Sequence, residues 1–277
     1  MMNFKRVQKG VLVAAICLLA GCGTGKSVNE NDMEPREVEP LYNEAAAAME
    51  AGEYRQATRL FEEVERQHPY SQWAVRAELM AAYASYKDGR YDEAVLALER
   101  FVELHPGNKD TDYALYLRAL AFYEQISDVA RDQAMTQESL DAFNTLIRRF
   151  PDSRYSRDAI LKRDLTLDHL AGKEMEIGRY YLNRKQHNAA INRFRTVIKK
   201  YETTTHVPEA LHRLVESYMT LGLRGEAIRV AAVLGHNYPG SKWYERSYQL
   251  LDDKMRQQLL EDRDWVDKTV ESLFRPD

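Results

Sequence analysis

The chain has 277 residues, with 39 Lys and Arg against 43 Asp and Glu, a formal charge of −4, and only two cysteines. That balance offers no basic surplus for a phosphate backbone, so nucleic acid is excluded as the main ligand. Few Gly and Pro among abundant Ala, Leu, Tyr, Glu and Arg make a helical composition.

Residues 1–21 read as a lipoprotein signal peptide. Lys5, Arg6 and Lys9 form a short basic start, and residues 11–20 form an apolar run too short to span a bilayer comfortably. The run ends in Leu19-Ala20-Gly21-Cys22, a lipobox that predicts cleavage before Cys22 and lipid on its sulfur. Gly23 follows instead of an Asp retention signal, so the expected address is the periplasmic face of the outer membrane, reached through the lipid anchor. Cys17 leaves with the leader and Cys22 carries lipid, which leaves no thiol for a disulfide, metal or nucleophile. The processed chain keeps 36 of the 39 basic residues and all 43 acidic ones, for a net charge of −7 with His neutral.

The run from Ala20 to Ser27 satisfies the looser P-loop pattern, but a signal peptide precedes it and processing cuts inside it. A P-loop needs a strand before and a helix after. Residues 22–37, from the lipidated Cys through a polar stretch without apolar period, read as a flexible tether.

From residue 38 an internal repeat sets the fold. Gly52-Glu53-Tyr54-Arg55-Gln56-Ala57 returns as Gly89-Arg90-Tyr91-Asp92-Glu93-Ala94, and the helices they open close on His68-Pro69 and His105-Pro106. The offset of 37 residues is near the about 34 of a tetratricopeptide repeat. A small residue, Ala57 or Ala94, lets the second helix cross the first closely, and Phe61 or Leu98 fills the space four residues on. Gly permits the turn and Pro ends the helix. Ser139, Phe143 and Phe150-Pro151 close a third repeat, with a long loop expected from Asp128 to Thr136. These three repeats make an N-terminal unit over residues 38–154.

Residues 155–241 hold a spine helix, expected to loosen at Gly172, and a C-terminal unit of repeats four and five. Ala190, Phe194 and Val197 mark repeat four, with Lys185 in place of the turn Gly and Glu202 in place of the closing Pro. Gly222, Ala227, Leu234 and Tyr238-Pro239 mark repeat five. Residues 242–277 supply the capping helix and tail that a solenoid end needs. The expected fold is all-α, a tetratricopeptide-repeat (TPR) superhelix of about five helix-turn-helix repeats plus a C-terminal helix.

Chemistry-bearing motifs are otherwise absent from the sequence. The histidines lack metal-ligand spacing, no nucleophile elbow surrounds any Ser, and no segment outside the repeats exceeds about 35 residues, too short for a catalytic domain. No catalytic residue, metal or cofactor is expected beyond the covalent lipid. Tyr83, Tyr86, Tyr113, Tyr116 and Tyr123 fall on the first helices of repeats two and three, interleaved with Arg76, Lys87 and Arg118. Such a face suits an extended peptide with an aromatic or carboxylate end, with Lys87 and Arg118 expected to stand most exposed. The plainer reading, which the repeat pattern favours, is that several of these tyrosines fill the normal inter-repeat core.

With the repeats placed, three stretches are distinctive: His169-Leu170-Ala171-Gly172-Lys173-Glu174-Met175-Glu176-Ile177-Gly178-Arg179-Tyr180-Tyr181, then Ala190-Ile191-Asn192-Arg193-Phe194, then Thr205-His206-Val207-Pro208-Glu209-Ala210-Leu211. Together with the lipobox and tether they resemble the BamD (ComL) family, lipoproteins of the outer-membrane β-barrel assembly machinery, in its alphaproteobacterial form. The resemblance implies a non-enzymatic scaffold. Its C-terminal repeats would bind BamA, with Arg193 in Asn192-Arg193 pairing with a BamA carboxylate. It would also meet other Bam lipoproteins, and its N-terminal repeats would receive the targeting signals of unfolded outer-membrane β-barrel proteins. Departures from enterobacterial relatives are a longer tail after Asp252 and the missing Pro of repeat four. The alternative readings are another envelope TPR lipoprotein, such as a pilus-secretin pilotin, and a cell-wall enzyme with appended repeats.

Overall fold

A computed structural model describes residues 36–261. The leader at 1–21, Cys22, the P-loop-like run at 20–27, most of the 22–37 tether and the last part of 242–277 lie outside the described residues. The described residues from Val38 onward form one compact unit, with no strand among them.

Five helix pairs follow one another in chain order. They are α1 (Val38–Glu50) with α2 (Tyr54–Gln67), α3 (Gln72–Lys87) with α4 (Tyr91–Leu104), and α5 (Thr111–Tyr123) with α6 (Ala134–Arg149). Then come α7 (Arg154–Asn183) with α8 (His187–Lys200), and α9 (Val207–Thr220) with α10 (Arg224–Asn237). Helices α11 (Lys242–Leu250) and α12 (Asp253–Glu261) close the array. They bury Ser247, Leu251 and Met255 against the last pair. This is the TPR superhelix expected from the repeat.

The turn residues explain the tight joints. Gly52, Gly89 and Gly222 adopt φ of 78°, 75° and 73°, a left-handed conformation free of penalty only for glycine. Lys185 occupies the same place in repeat four at φ 61°, so this repeat makes the same turn with a strained residue. The closing Pro proves dispensable in the same repeat. His68, His105, Phe150 and Tyr238 each donate their N–H to the carbonyl four residues back, at 2.9–3.0 Å, before a Pro. Tyr201, followed by Glu202, donates likewise to Val197 at 3.0 Å.

The packing inside each pair follows the repeat. Ala57, Ala94, Ser139, Ala190 and Ala227 have no exposed surface, and neither do Phe61, Leu98, Phe143 and Phe194 four residues after the first four. Burying each such ring or leucine contributes about 1.5–3 kcal/mol. Hydrophobic clusters run from repeat to repeat, and the largest unites repeats four and five with the closing helices.

Two expectations about the spine and loop are corrected. Gly172 does not loosen α7, which runs unbroken for 30 residues, about 45 Å. Gly172 instead gives room to His206, whose Nε2 would stand 3.3 Å from an added Cβ. Helix α6 begins at Ala134, so the long loop covers 124–133 and Thr136 is buried in the helix. That loop is tied down: the Gln133 amide donates to the carbonyls of Asp128, Val129 and Arg131, and Lys173 of α7 donates to Ala130 O at 2.8 Å.

Candidate functional site

Tyrosines from successive first helices meet side to side. Tyr83 of α3 lies 6.4 Å from Tyr113 of α5, which lies 5.2 Å from Tyr155 of α7. Tyr116 stacks on the same Tyr155 ring at 5.2 Å, and Tyr86 lies 5.6 Å from Tyr91. The spacing arises because residues three apart on a helix share a face. Stacking repeats then carries that face from one helix to the next. All of these rings are half-buried, so each contributes to the inter-repeat packing while keeping an edge toward solvent. Tyr123 differs: it meets the buried Phe143 edge-on at 6.1 Å and belongs to the core of repeat three.

The hydroxyls point at carboxylates. Tyr86 donates to Glu124 at 3.5 Å, and Tyr116 donates to Asp158 of α7. Burial, reinforced by the Glu124 charge, pushes the Tyr86 phenol up to about 12. Tyr113 and Tyr116 are raised too, by burial first and then by neighbouring phenols or Asp158. The ladder is therefore neutral, hydrogen-bond-rich and flat-faced. It suits stacking against extended chain or aromatic side chains and supplies no nucleophile or proton relay.

The flanking cations divide. Lys87 is exposed at the end of α3, one turn beyond Tyr83 and on the same side. Arg76 is exposed near the start of α3. The expectation that Arg118 stands exposed is corrected. Its side chain is 23% exposed, 3.7 Å from Glu99 of α4 and over the Phe122 ring at 6.0 Å, and its Nε is buried without a hydrogen-bond partner. The reason is helical geometry: a residue two positions after Tyr116 points to the other side of α5, toward α4. Tyr155, Asp158 and Glu124 were not legible from the repeat pattern. They lie 38 to 42 residues from their hydrogen-bond partners, or on the neighbouring helix from the rings they stack on.

A second feature lies on α8. The Arg193 guanidinium donates to both Glu174 oxygens, at 3.2 and 3.4 Å, with its side chain 41% exposed. Glu174 on α7 thereby orients the fork and leaves further N–H donors turned outward. Asn192 is exposed beside it, and both line a shallow notch of about 200 Å³ with Tyr181, Ala189 and Thr196. A larger cleft of about 380 Å³ runs between the 124–133 loop and α7, lined by Asp168, His169, Glu176 and His206. Among the described residues no cluster of three or more His, Cys, Asp or Glu could hold a metal ion, and no helix is long and apolar enough to cross a membrane.

Comparison with known proteins places this arrangement. Residues 34–234 match the family YfiO, described as outer membrane lipoprotein. The chain is 49% identical over 243 residues to the outer membrane protein assembly factor BamD of Caulobacter vibrioides, covering 88% of this chain and 79% of that protein. It is 46% identical over 250 residues to the factor of the same name from Rickettsia prowazekii, covering 90% and 98%. With the one from Neisseria meningitidis serogroup A the identity is 35% over 256 residues, covering 88% and 96%.

Proposed function

Because this chain belongs to the BamD (YfiO) family of outer membrane assembly lipoproteins, we propose that it is a non-enzymatic scaffold of the β-barrel assembly machinery, held at the periplasmic face of the outer membrane by lipid on Cys22. The observation that carries this reading is the extent of the family match, which runs from repeat one into the second helix of repeat five and includes the ladder and α8 alike. BamA docks on the C-terminal repeats through Arg193 and Asn192, supported by the outward, Glu174-held guanidinium. Unfolded β-barrel proteins are received on the Tyr83, Tyr86 and Tyr116 face beside Lys87, with Arg118 bracing α5 against α4 from behind. Other Bam lipoproteins complete the assembly. A binding role needs no cofactor, and a repeat array presents extended surface for it.

The test is Arg193→Glu, assayed for binding to the periplasmic region of BamA. Reversing a charge at an orienting contact should weaken that binding by about tenfold or more. Stability should change by no more than about 1 kcal/mol, because the residue is half-exposed. Unchanged affinity would remove Arg193 from the interface.

A further inference from the structure

Helix α8 is the one helix among the described residues that carries no Asp or Glu. Its sequence, His187 to Lys200, holds Arg193, Arg195, Lys199 and Lys200 in a chain whose overall charge is negative. At about 100° per residue these cations are not scattered. Asn192 sits near the centre of the outward arc, with Arg195 and Lys199 on one side and Arg193 and Lys200 on the other, spanning about 160°. The opposite arc is the buried Ala190, Ile191, Phe194, Val197 and Ile198.

The charges are also uncompensated. Arg193 has Glu174, but no ion pair among the described residues engages Arg195, Lys199 or Lys200, which are all exposed. In three of the other second helices of the pairs, basic side chains find carboxylates in the same or a neighbouring helix. Arg66 of α2 bonds Glu63 within its helix, Arg100 of α4 reaches Glu65 and Glu78 nearby, and Arg229 of α10 bonds Glu226. Arg148 and Arg149 of α6 engage no ion pair among the described residues but share their helix with Glu138 and Asp141. Leaving one face unneutralised raises a local positive potential that a complementary surface relieves.

We infer that the outward face of α8 is a cationic docking strip for an acidic protein surface, with Arg195, Lys199 and Lys200 steering the partner whose carboxylate Arg193 then fixes. This rests on the reading that the C-terminal repeats bind BamA, and extends it from one charge pair to a face. A lipid headgroup layer is the competing source of negative charge. Two observations favour protein. No large hydrophobic side chain on α8 is exposed for insertion, whereas helices that lie in a membrane interface bury an apolar face there. The notch of Tyr181, Ala189, Asn192 and Thr196 at the strip's centre also offers fixed polar geometry that a single inserted side chain fills.

The experiment compares the full chain with the triple variant Arg195→Glu/Lys199→Glu/Lys200→Glu for binding to the periplasmic region of BamA and to phosphatidylglycerol vesicles. Binding is measured at about 50 mM and about 500 mM salt, where screening differs severalfold in range. Circular dichroism and a melting curve check that the variant is folded. The expected result is a loss of BamA affinity of about tenfold or more at low salt, arising mainly in the association rate, and narrowing at high salt. Equal affinity of wild type and triple variant at low salt would overturn the strip while leaving Arg193 intact. Loss of vesicle binding with BamA binding unchanged would also overturn it and assign the strip to lipid. If wild type binds no BamA, the underlying reading fails and the strip falls with it.

Discussion

Gly178→Ala is expected to destabilise the protein although alanine is the better helix former. Gly178 lies deep in α7, where the bare glycine edge admits the Phe194 ring of α8. An added Cβ would overlap Cε1 of that ring and stand 2.9 Å from two further ring atoms. Removing a mid-helix glycine would gain about 1 kcal/mol in an open site. Here the ring is fully buried and held in the largest hydrophobic cluster, with Met175, Val197 and Leu211 among its members, so it cannot swing away. Overpacking of this kind costs about 1–3 kcal/mol, occasionally more, and an overlap with a fixed ring falls at the upper end. The net expectation is a loss of about 1–2 kcal/mol, read as a lower urea midpoint with an unchanged slope. In the Gly178→Ala background, Phe194→Leu should cost less than it does in wild type, because it removes the clash as well as the ring. A coupling of at least about 1 kcal/mol is expected from that cycle. A Gly178→Ala protein more stable than wild type by the ordinary helix increment would refute the close α7–α8 contact.

Lys185→Gly should raise stability by about 0.5–1 kcal/mol, because Lys185 holds φ 61° where Gly52, Gly89 and Gly222 make the same turn; a lower melting temperature would show that the lysine side chain outweighs its backbone strain. Glu216 is half-buried, which by itself would raise its carboxyl, yet hydrogen bonds from His212 and Arg213 hold it down at about 2. A depressed carboxylate adds stability above its ordinary value near 4.5 and loses it as pH falls toward 2. Glu216→Gln should therefore cost about 1–2 kcal/mol at pH 7, after allowing for solvent screening, with the gap to wild type closing by about pH 2–3; a gap independent of pH would contradict the assignment. Cys22→Ala should leave an uncleaved precursor off the outer membrane, as followed by fractionation and gel mobility; normal maturation of that variant would end the anchor proposal.

The fold was legible because tetratricopeptide packing is local. Four of the five pairs turn on a left-handed residue, and the first four set a large side chain four after a small one, all within a short stretch of chain, so Ala57 and Phe61 announce themselves. Lys185 shows the limit of residue identity: the turn persists where glycine is replaced, because the packed helices on either side determine the backbone. Arg118 departs from expectation although its sequence position held the answer, since a residue two after Tyr116 faces α4 and meets Glu99. Tyr155 and Asp158 were hidden for a different reason. Their partners Tyr116 and Tyr113 belong to the preceding repeat, and only the angle between successive pairs brings them together. The α8 strip is half legible: the sequence shows a helix without acids, but not that its neighbours leave three of its cations unpaired.

The most direct test of the scaffold reading is affinity purification of this protein from detergent-solubilised envelopes, with bound proteins identified and quantified by mass spectrometry. The reading predicts recovery of BamA in near-equal amount, with recovery reduced by Arg193→Glu. Recovery of a pilus secretin or cell-wall enzymes without BamA would contradict it.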